Sequence, residues 1–200
     1  MDRVMLGFVP SVALLVALLP CGAAGFLAAD VTSGLVHWMG DTYFGPDTRV
    51  IGRRFIAPFR EHHVDPDRIG AHGWLERNGN NCLAALPVLL VAAARSSSGG
   101  PLLGPAGAAF AAALGLTLCL TNEIHAWAHA PRAPRAVRWL QRHGVLLGRE
   151  HHARHHAGRA RGSYAIVSGW SNRWLDAVLP RIEKLLARLG MRSTGGADRS

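Results

Sequence analysis

Uncharged stretches divide this chain into apolar blocks separated by basic, polar segments. Val4 to Ala29 and Pro101 to Thr121 contain no Asp, Glu, Lys or Arg apart from Asp30 just beyond the first. Each is long enough for a helix to cross a hydrocarbon layer, which takes roughly 20 residues. Cys82 to Ala94 is a third uncharged block, short enough to be either a core helix or half a span. The pattern predicts an all-α, integral membrane protein with about three to four membrane helices. Val4 to Ala29 forms the first helix, bent near Pro10 or Pro20, and Ala28 to Thr42 is a second helical segment running on from it. Arg49 to Asn81 is polar and punctuated by proline, which places it at the interface. Cys82 to Ala94 and Pro101 to Thr121 pair as a hairpin across Ser96-Ser97-Ser98-Gly99-Gly100. Helical positions Asn122 to Ala130 come next and stop at Pro131 and Pro134. Trp139 to His156 reads as a helix lying on the membrane, and Trp174 to Leu189 as a last, amphipathic one. The chain then divides into an N-terminal membrane helix (1–27), one domain (28–189) and a disordered tail (190–200). Met1-Asp2-Arg3, an apolar run and Cys21-Gly22-Ala23-Ala24 also have the outline of a cleavable signal peptide. Continuation of the run through Phe26 and Leu27 favours a retained helix.

Composition supports the membrane reading, since 49% of residues are apolar and only 18% charged. The formal charge of +9 is almost all arginine, Lys184 being the single lysine. Arginines crowd Arg49 to Arg77 and Arg132 to Arg161, whereas Arg95 to Gly104 holds one. The positive-inside rule therefore puts both basic regions on the cytoplasmic side, of the inner membrane if the source is bacterial. No aromatic stacking platform or binding module accompanies them, which argues against nucleic acid as a partner and for anionic head groups. Cys21, Cys82 and Cys119 are odd in number and lie in or beside apolar stretches, so they read as small core residues.

Histidine is where the chemistry lies. His125 and His129 are spaced i, i+4 and share a helix face, so both rings can grip one metal ion. His151, His152, His155 and His156 hold two interleaved i, i+4 pairs about 100° apart around a helix, which can serve two neighbouring metals. His62-His63 is a further pair, with Asp65 placed to orient an imidazole through its second N–H. His72 and Asn78 lie a little downstream, and Asn122 lies one turn before His125. Asp30, Gly34, His37 and Asp41 share one face of the first helical region. An acid inside a membrane helix is costly and marks function by default. Asp30 reads as a partner behind a ligand or as a structural cap, and His37 as a ligand. This set exceeds the three ligands and general base of a zinc hydrolase. It suits two redox-active metals, because breaking an unactivated C–H bond takes a metal–oxygen oxidant.

The segments Ala29 to Thr42, Pro58 to Pro66, Glu76 to Cys82, Thr121 to His129, His151 to His156 and Gly169 to Asn172, taken in order, resemble the plasmanylethanolamine desaturase family. Plant phosphatidylglycerol acyl desaturases are a related group. The resemblance covers about Ala28 to Leu185. It implies a lipid desaturase domain over 28–189 that uses two iron ions and dioxygen to convert the O-alkyl chain of an ether phospholipid to a vinyl ether. Electrons would come from a reductase through a cytochrome b-type or ferredoxin-type carrier protein. His125 and His129 match the family's H-x-x-x-H box, and His152, His155 and His156 its H-x-x-H-H box. His37, His62, His63, His72 and His151 match other family histidines. Together these ten are the expected metal ligands, eight of them (all but His72 and His151) catalytic, with Asp30, Asp41, Asp65, Asn78 and Asn122 behind them. Ala126, Glu123, Trp74, Leu75 and Ala165 depart from the family pattern without removing a ligand. Three other readings compete: acyl desaturation or hydroxylation at the same two metals, a membrane regulator in a light or singlet-oxygen response, and a metal transporter or sensor. The third would place its ligands within the spans, and a scaffold has no use for the histidines.

Overall fold

The computed structural model describes residues 12–96, 104–157 and 161–193, and every regular element among them is helical. The first helix, α1 (Val12–Thr42), runs unbroken for 31 residues with Pro20 inside it, so no boundary falls at Ala28. Arg49 to Asn81 is largely helical. A π-helical turn (Gly52–Ile56) leads into α2 (Ala57–Val64) and the short α3 (Arg68–Ala71). Then α4 (Trp74–Ser96) starts eight residues before Cys82. A Cβ at Gly52 would overlap the Pro46 carbonyl, so only glycine allows the chain to close so tightly into the π turn.

The remaining helices are α5 (Pro105–Cys119), α6 (Thr121–His129), α7 (Arg135–Arg142), α8 (Arg149–Ala157) and α9 (Asn172–Arg188). The single helix expected over Trp139 to His156 is two helices. The break falls at Gly144, whose φ of +68° no helix accommodates. Beyond this break the chain makes a buried crossing: Leu147 N–H donates to the Val167 carbonyl at 2.7 Å, and Gln141 Nε2 donates to the Leu147 carbonyl at 2.9 Å.

By length and composition, one helix alone could cross a membrane, Leu18–Thr42 of α1, with mean hydropathy 1.4. A second arises if α5 and α6, bent by 48° at their junction, count as one span. That is one or two among the described residues, where the sequence pattern suggested three to four. The shortfall has a physical cause: α4 opens with Glu76, Arg77 and Asn78, and α5 has only 15 residues. The N-terminal end of the first apolar run (1–11), the hairpin turn (97–103) and the end of the tail (194–200) lie outside the described residues.

Helices α1, α4 and α5 pack side by side, with small residues at the crossings. A Cβ on Gly25 would strike the Phe110 carbonyl of α5, and one on Gly115 would meet Leu89 of α4. Cys82 and Cys119 are joined by a disulfide between α4 and α5, contrary to the expectation of three independent core cysteines; Cys21 is free. At the other end, the extended segment before α9 threads the core. Tyr164, Ala165, Ile166 and Val167 are all buried, packed among Trp38, Leu175, Leu179, Ile124 and Leu147.

Substituting Gly25→Val must push α1 off the α5 backbone, whereas Gly115→Ala meets only a flexible leucine side chain. Overpacking of this kind costs about 1–3 kcal/mol, or a fall of roughly 5 °C in a chain of this size. The Gly25 variant is expected to lose at least that much by thermal unfolding in detergent. Equal midpoints for the two variants would contradict the packing.

Candidate metal centre

Three helices converge on one buried point. From α6 come His125 and His129, one turn apart; from α8 come His152 and His156, likewise one turn apart; and from α2 comes His62. The available ring nitrogens of these five all lie within 4.8 Å of one another. Beside them is a second group, again within 4.8 Å: His37 and Asp41 of α1, His63 of α2 and His155 of α8. The adjacent histidine pairs thereby acquire a purpose. His62 and His63 point one ring into each group, and so do His156 and His155. The groups abut, with ring centroids of His37 and His62 5.8 Å apart.

Proton bookkeeping shows that these rings are arranged for a cation. His37 Nδ1 lies 2.9 Å from the Tyr164 carbonyl oxygen, and His155 Nδ1 lies 2.7 Å from that of Gly162. A carbonyl can only accept, so both Nδ1 atoms carry the proton, and in the neutral ring each Nε2 presents a lone pair. Both Nε2 atoms sit 3.4 Å from Asp41 Oδ2, and neither has a hydrogen-bond partner among the described residues. With both rings neutral, acceptor faces acceptor at 3.4 Å, a contact that a cation between them would relieve. In the other group, Nε2 of His152 lies 2.8 Å from that of His125, 2.9 Å from that of His129 and 3.1 Å from that of His156. The His125 and His129 nitrogens are themselves 3.2 Å apart. Three mutually close ring nitrogens cannot all pair as donor and acceptor. Metal–imidazole bonds of about 2.1 Å put neighbouring nitrogens roughly 3.0–3.4 Å apart, so the residues present fit a bound ion.

Burial keeps the rings available. Outside the apolar helices, burial holds His62 and His152 well below the ordinary imidazole range, and brings His156 down to about 3. Neighbouring imidazoles push the same way, because a second charge in the cluster would be repelled. The neutral form binds metal. Tyr164, whose ring packs against His37 and His155, is pushed up to about 12 by burial and stays a neutral phenol.

Other candidate residues are placed differently. Asp30 takes the capping role. Its Oδ1 accepts the Ser168 and Gly169 N–H groups at 2.7 and 3.0 Å, and its Oδ2 accepts the Ser171 N–H and hydroxyl at 3.0 and 2.7 Å. It is fully buried and pins the Gly169-Trp170-Ser171-Asn172 turn to α1. Asp65 is exposed at the end of α2, and the carboxylate on His63 is instead Asp41, 3.1 Å away. His72 pairs with Glu76 at 2.9 Å near the surface, and His151 lies against Gly169 and Asn172, so neither joins a group. Asn122 donates to the Arg77 carbonyl. Asn78 Nδ2 donates to Glu123 Oε2 at 2.9 Å, and Arg77 donates to the same oxygen through Nε and Nη2.

The motif reading did not single out this buried Arg77–Glu123 pair, and it understated Asp41. The signal for Asp41 was present, since it stands i, i+4 from His37. The signal for Arg77 was absent, because its partner lies 46 residues away.

A cavity of about 360 Å³ opens onto the five-histidine group, with His62 and His125 in its wall. Its lining mixes apolar Val36, Phe55, Ile56 and Phe59 with polar and charged Arg54, Glu61, Arg68, Glu76, Asn80 and Asn81.

A helical bundle with one helix long and apolar enough to cross a membrane and a buried, histidine-rich centre defines a class of membrane-associated protein suited to binding metal. The chain belongs to the lipid desaturase domain family, whose sequence profile matches residues 26–195. It is 41% identical over 167 residues to a plasmanylethanolamine desaturase of Myxococcus xanthus, covering 81% of this chain and 58% of that protein. Over 173 residues it is 39% identical to plasmanylethanolamine desaturase 1 of Mus musculus, covering 83% and 64%. A more distant relative is the chloroplastic fatty acid desaturase 4 of Arabidopsis thaliana, 32% identical over 157 residues, with 78% and 46% covered. The chain thus spans about three fifths of the length of the first two relatives. No solved structure matches it.

Asp30→Ala strands several buried N–H groups at once. Each such loss costs about 1–3 kcal/mol, so the variant is expected to unfold at least roughly 6 °C below the parent. Asp65→Ala, at an exposed position, is expected to leave the midpoint unchanged. Thermal unfolding of the two side by side checks this, and a tolerant Asp30 would contradict the capping role.

Proposed function

We propose that this protein is a membrane-bound, oxygen-dependent lipid desaturase that converts the O-alkyl chain of an ether phospholipid to the vinyl ether of a plasmalogen, with residues 28–189 as the catalytic domain. The observation that carries the reading is the pair of abutting groups: five histidines in one, three histidines and a carboxylate in the other. Relatives named as plasmanylethanolamine desaturases, at about 40% identity, support an ether-lipid substrate.

His62, His125, His129, His152 and His156 would hold one iron ion, and His37, Asp41, His63 and His155 the other. Iron and dioxygen together supply the oxidising power that side-chain acids and bases lack. The chain's own residues do the rest. The Tyr164 and Gly162 carbonyls fix the tautomer and the ring orientation of His37 and His155. Asp41 brings negative charge that offsets metal charge in a site otherwise built of neutral rings. The Arg77–Glu123–Asn78 network holds the start of α4 against α6, two residues before His125. Phe59 packs edge-on against both His37 and His62 and shields them from water. His72 and His151 stand outside both sets. The remaining electrons would come from a carrier protein and its reductase.

Membrane insertion in this reading uses α1, α4 and the bent α5–α6 pair. Exposed apolar side chains line all three: Leu19 and Leu27 on α1, Leu83 and Leu90 on α4, Phe110 and Leu116 on α5. Such a belt is out of place in water and at home in lipid. The arginines of α7 and α8 support a cytoplasmic position for the histidine centre.

Expression in a plasmalogen-free host supplied with alkyl-ether lipid tests the activity, with acid-labile vinyl ethers scored by mass spectrometry. The parent is expected to make them, and His129→Ala and His155→Ala to make none while still inserting in the membrane. Absence of product from the parent, under conditions where the Myxococcus relative forms it, would reject the substrate. Removal of one group should be visible in metal content alone: Asp41→Ala is expected to hold about half the iron of the parent, since it removes the one carboxylate of the four-residue group and leaves the five histidines of the other intact. Undiminished iron would take Asp41 out of the metal set.

A further inference from the structure

The cavity beside the five-histidine group carries a charge that the metal reading leaves unused. Arg77 is neutralised by Glu123, and Arg68 pairs with Glu61 at 2.7 Å on the surface. Arg54 also lines the cavity, and makes no ion pair or hydrogen bond among the described residues. It is carried by the π-helical turn Gly52–Ile56, whose neighbour Phe55 faces the same space. Single π turns are rare and are frequent at functional sites.

We propose that Arg54 takes the phosphate of the lipid head group and so confines oxidation to the head-group end of the chain. This rests on the ether-lipid reading above. In such a lipid the reacting carbon, next to the ether oxygen, is separated from phosphorus by little more than the glycerol backbone. An anchor for the phosphate must then share one small cavity with the metal-facing histidines. Here it does: His62, His125 and Arg54 line the same cavity, whose two lining carboxylates are engaged elsewhere, Glu61 on Arg68 and Glu76 on His72. A volume of about 360 Å³ is at the low end for ligand sites. It holds a head group and the first carbons, not a whole lipid. The rest of the chain would leave past Val36 and Phe55, which are exposed and apolar. A desaturase acting in mid-chain would instead keep the head group far from its metal. Guanidinium suits the role because its fixed fork of donors matches phosphate oxygens.

The test is equilibrium binding to the purified, iron-loaded full chain in neutral-lipid nanodiscs. The probes are a short-chain 1-O-alkyl glycerophospholipid, the matching alkylglycerol without phosphate, and inorganic phosphate. The parent is expected to prefer the phospholipid to the alkylglycerol by roughly ten- to a hundred-fold, the range for a charge-assisted contact. Arg54→Gln is expected to erase that preference with alkylglycerol affinity and iron content unchanged, and Arg54→Lys to restore part of it. Equal affinity of the parent for the two lipids would overturn the proposal, and needs no variant to fold. A preference that survives in Arg54→Gln would overturn it too. So would inorganic phosphate competing as well as the phospholipid, since that marks a bare anion site. Because binding is read without turnover, loss of the preference on mutation combined with no vinyl ether from the parent would reject the reaction and keep the anchor.

Discussion

The structure is organised around lone pairs that face one another. Asp41 Oδ2 lies between two imidazole nitrogens whose protons are committed elsewhere, to the carbonyls of Tyr164 and Gly162. Alongside, four more ring nitrogens crowd within about hydrogen-bond distance without the protons to make those bonds. In a low-dielectric interior such an arrangement is unfavourable by itself. A cation reverses the sign. The fold therefore has to hold the rings in place from outside the centre, and much of its construction does so.

That holding is done at the far side of each ligand. Asp30 sits about two turns before His37 on α1 and accepts four bonds from the turn that precedes α9. This pins the 164–168 segment, and with it the Tyr164 carbonyl that orients His37. Gly34 makes the approach possible, since a Cβ there would run into Leu175 and Ala165. The Arg77–Glu123 pair acts on the opposite flank. Buried ion pairs are weak evidence for stability in themselves, but this one bridges α4 and α6 where His125 projects. Polar groups that a membrane segment would ordinarily shed are kept because each secures the position of a ligand.

Much of this was legible in the sequence where the spacing is local. The i, i+4 rule brought His125 with His129 and His152 with His156, and the two interleaved pairs of 151–156 implied two metals. Asp41 obeys the same spacing from His37, yet a carboxylate on an apolar helix reads first as a supporting residue. His151 obeys the rule with His155 and still faces away, because Gly169 and Asn172 occupy its side of α8. The partners of Asp30 lie 138 to 141 residues along the chain, beyond any local pattern. The break between α7 and α8 needs a left-handed glycine at 144, and glycine alone does not announce its φ. The count of one or two candidate spans among the described residues has a related reason: α4 mixes a polar start with an apolar end, and averaging over it hides both.

The central claim is that two separate groups each hold an ion. Mössbauer spectroscopy on the full chain, purified after growth on enriched iron, tests it most directly when combined with total metal analysis. The account predicts two irons per chain in distinct environments, one ligated by nitrogen alone and one by nitrogen and carboxylate. A single zinc with no iron, or one iron shared by all nine side chains, would contradict it.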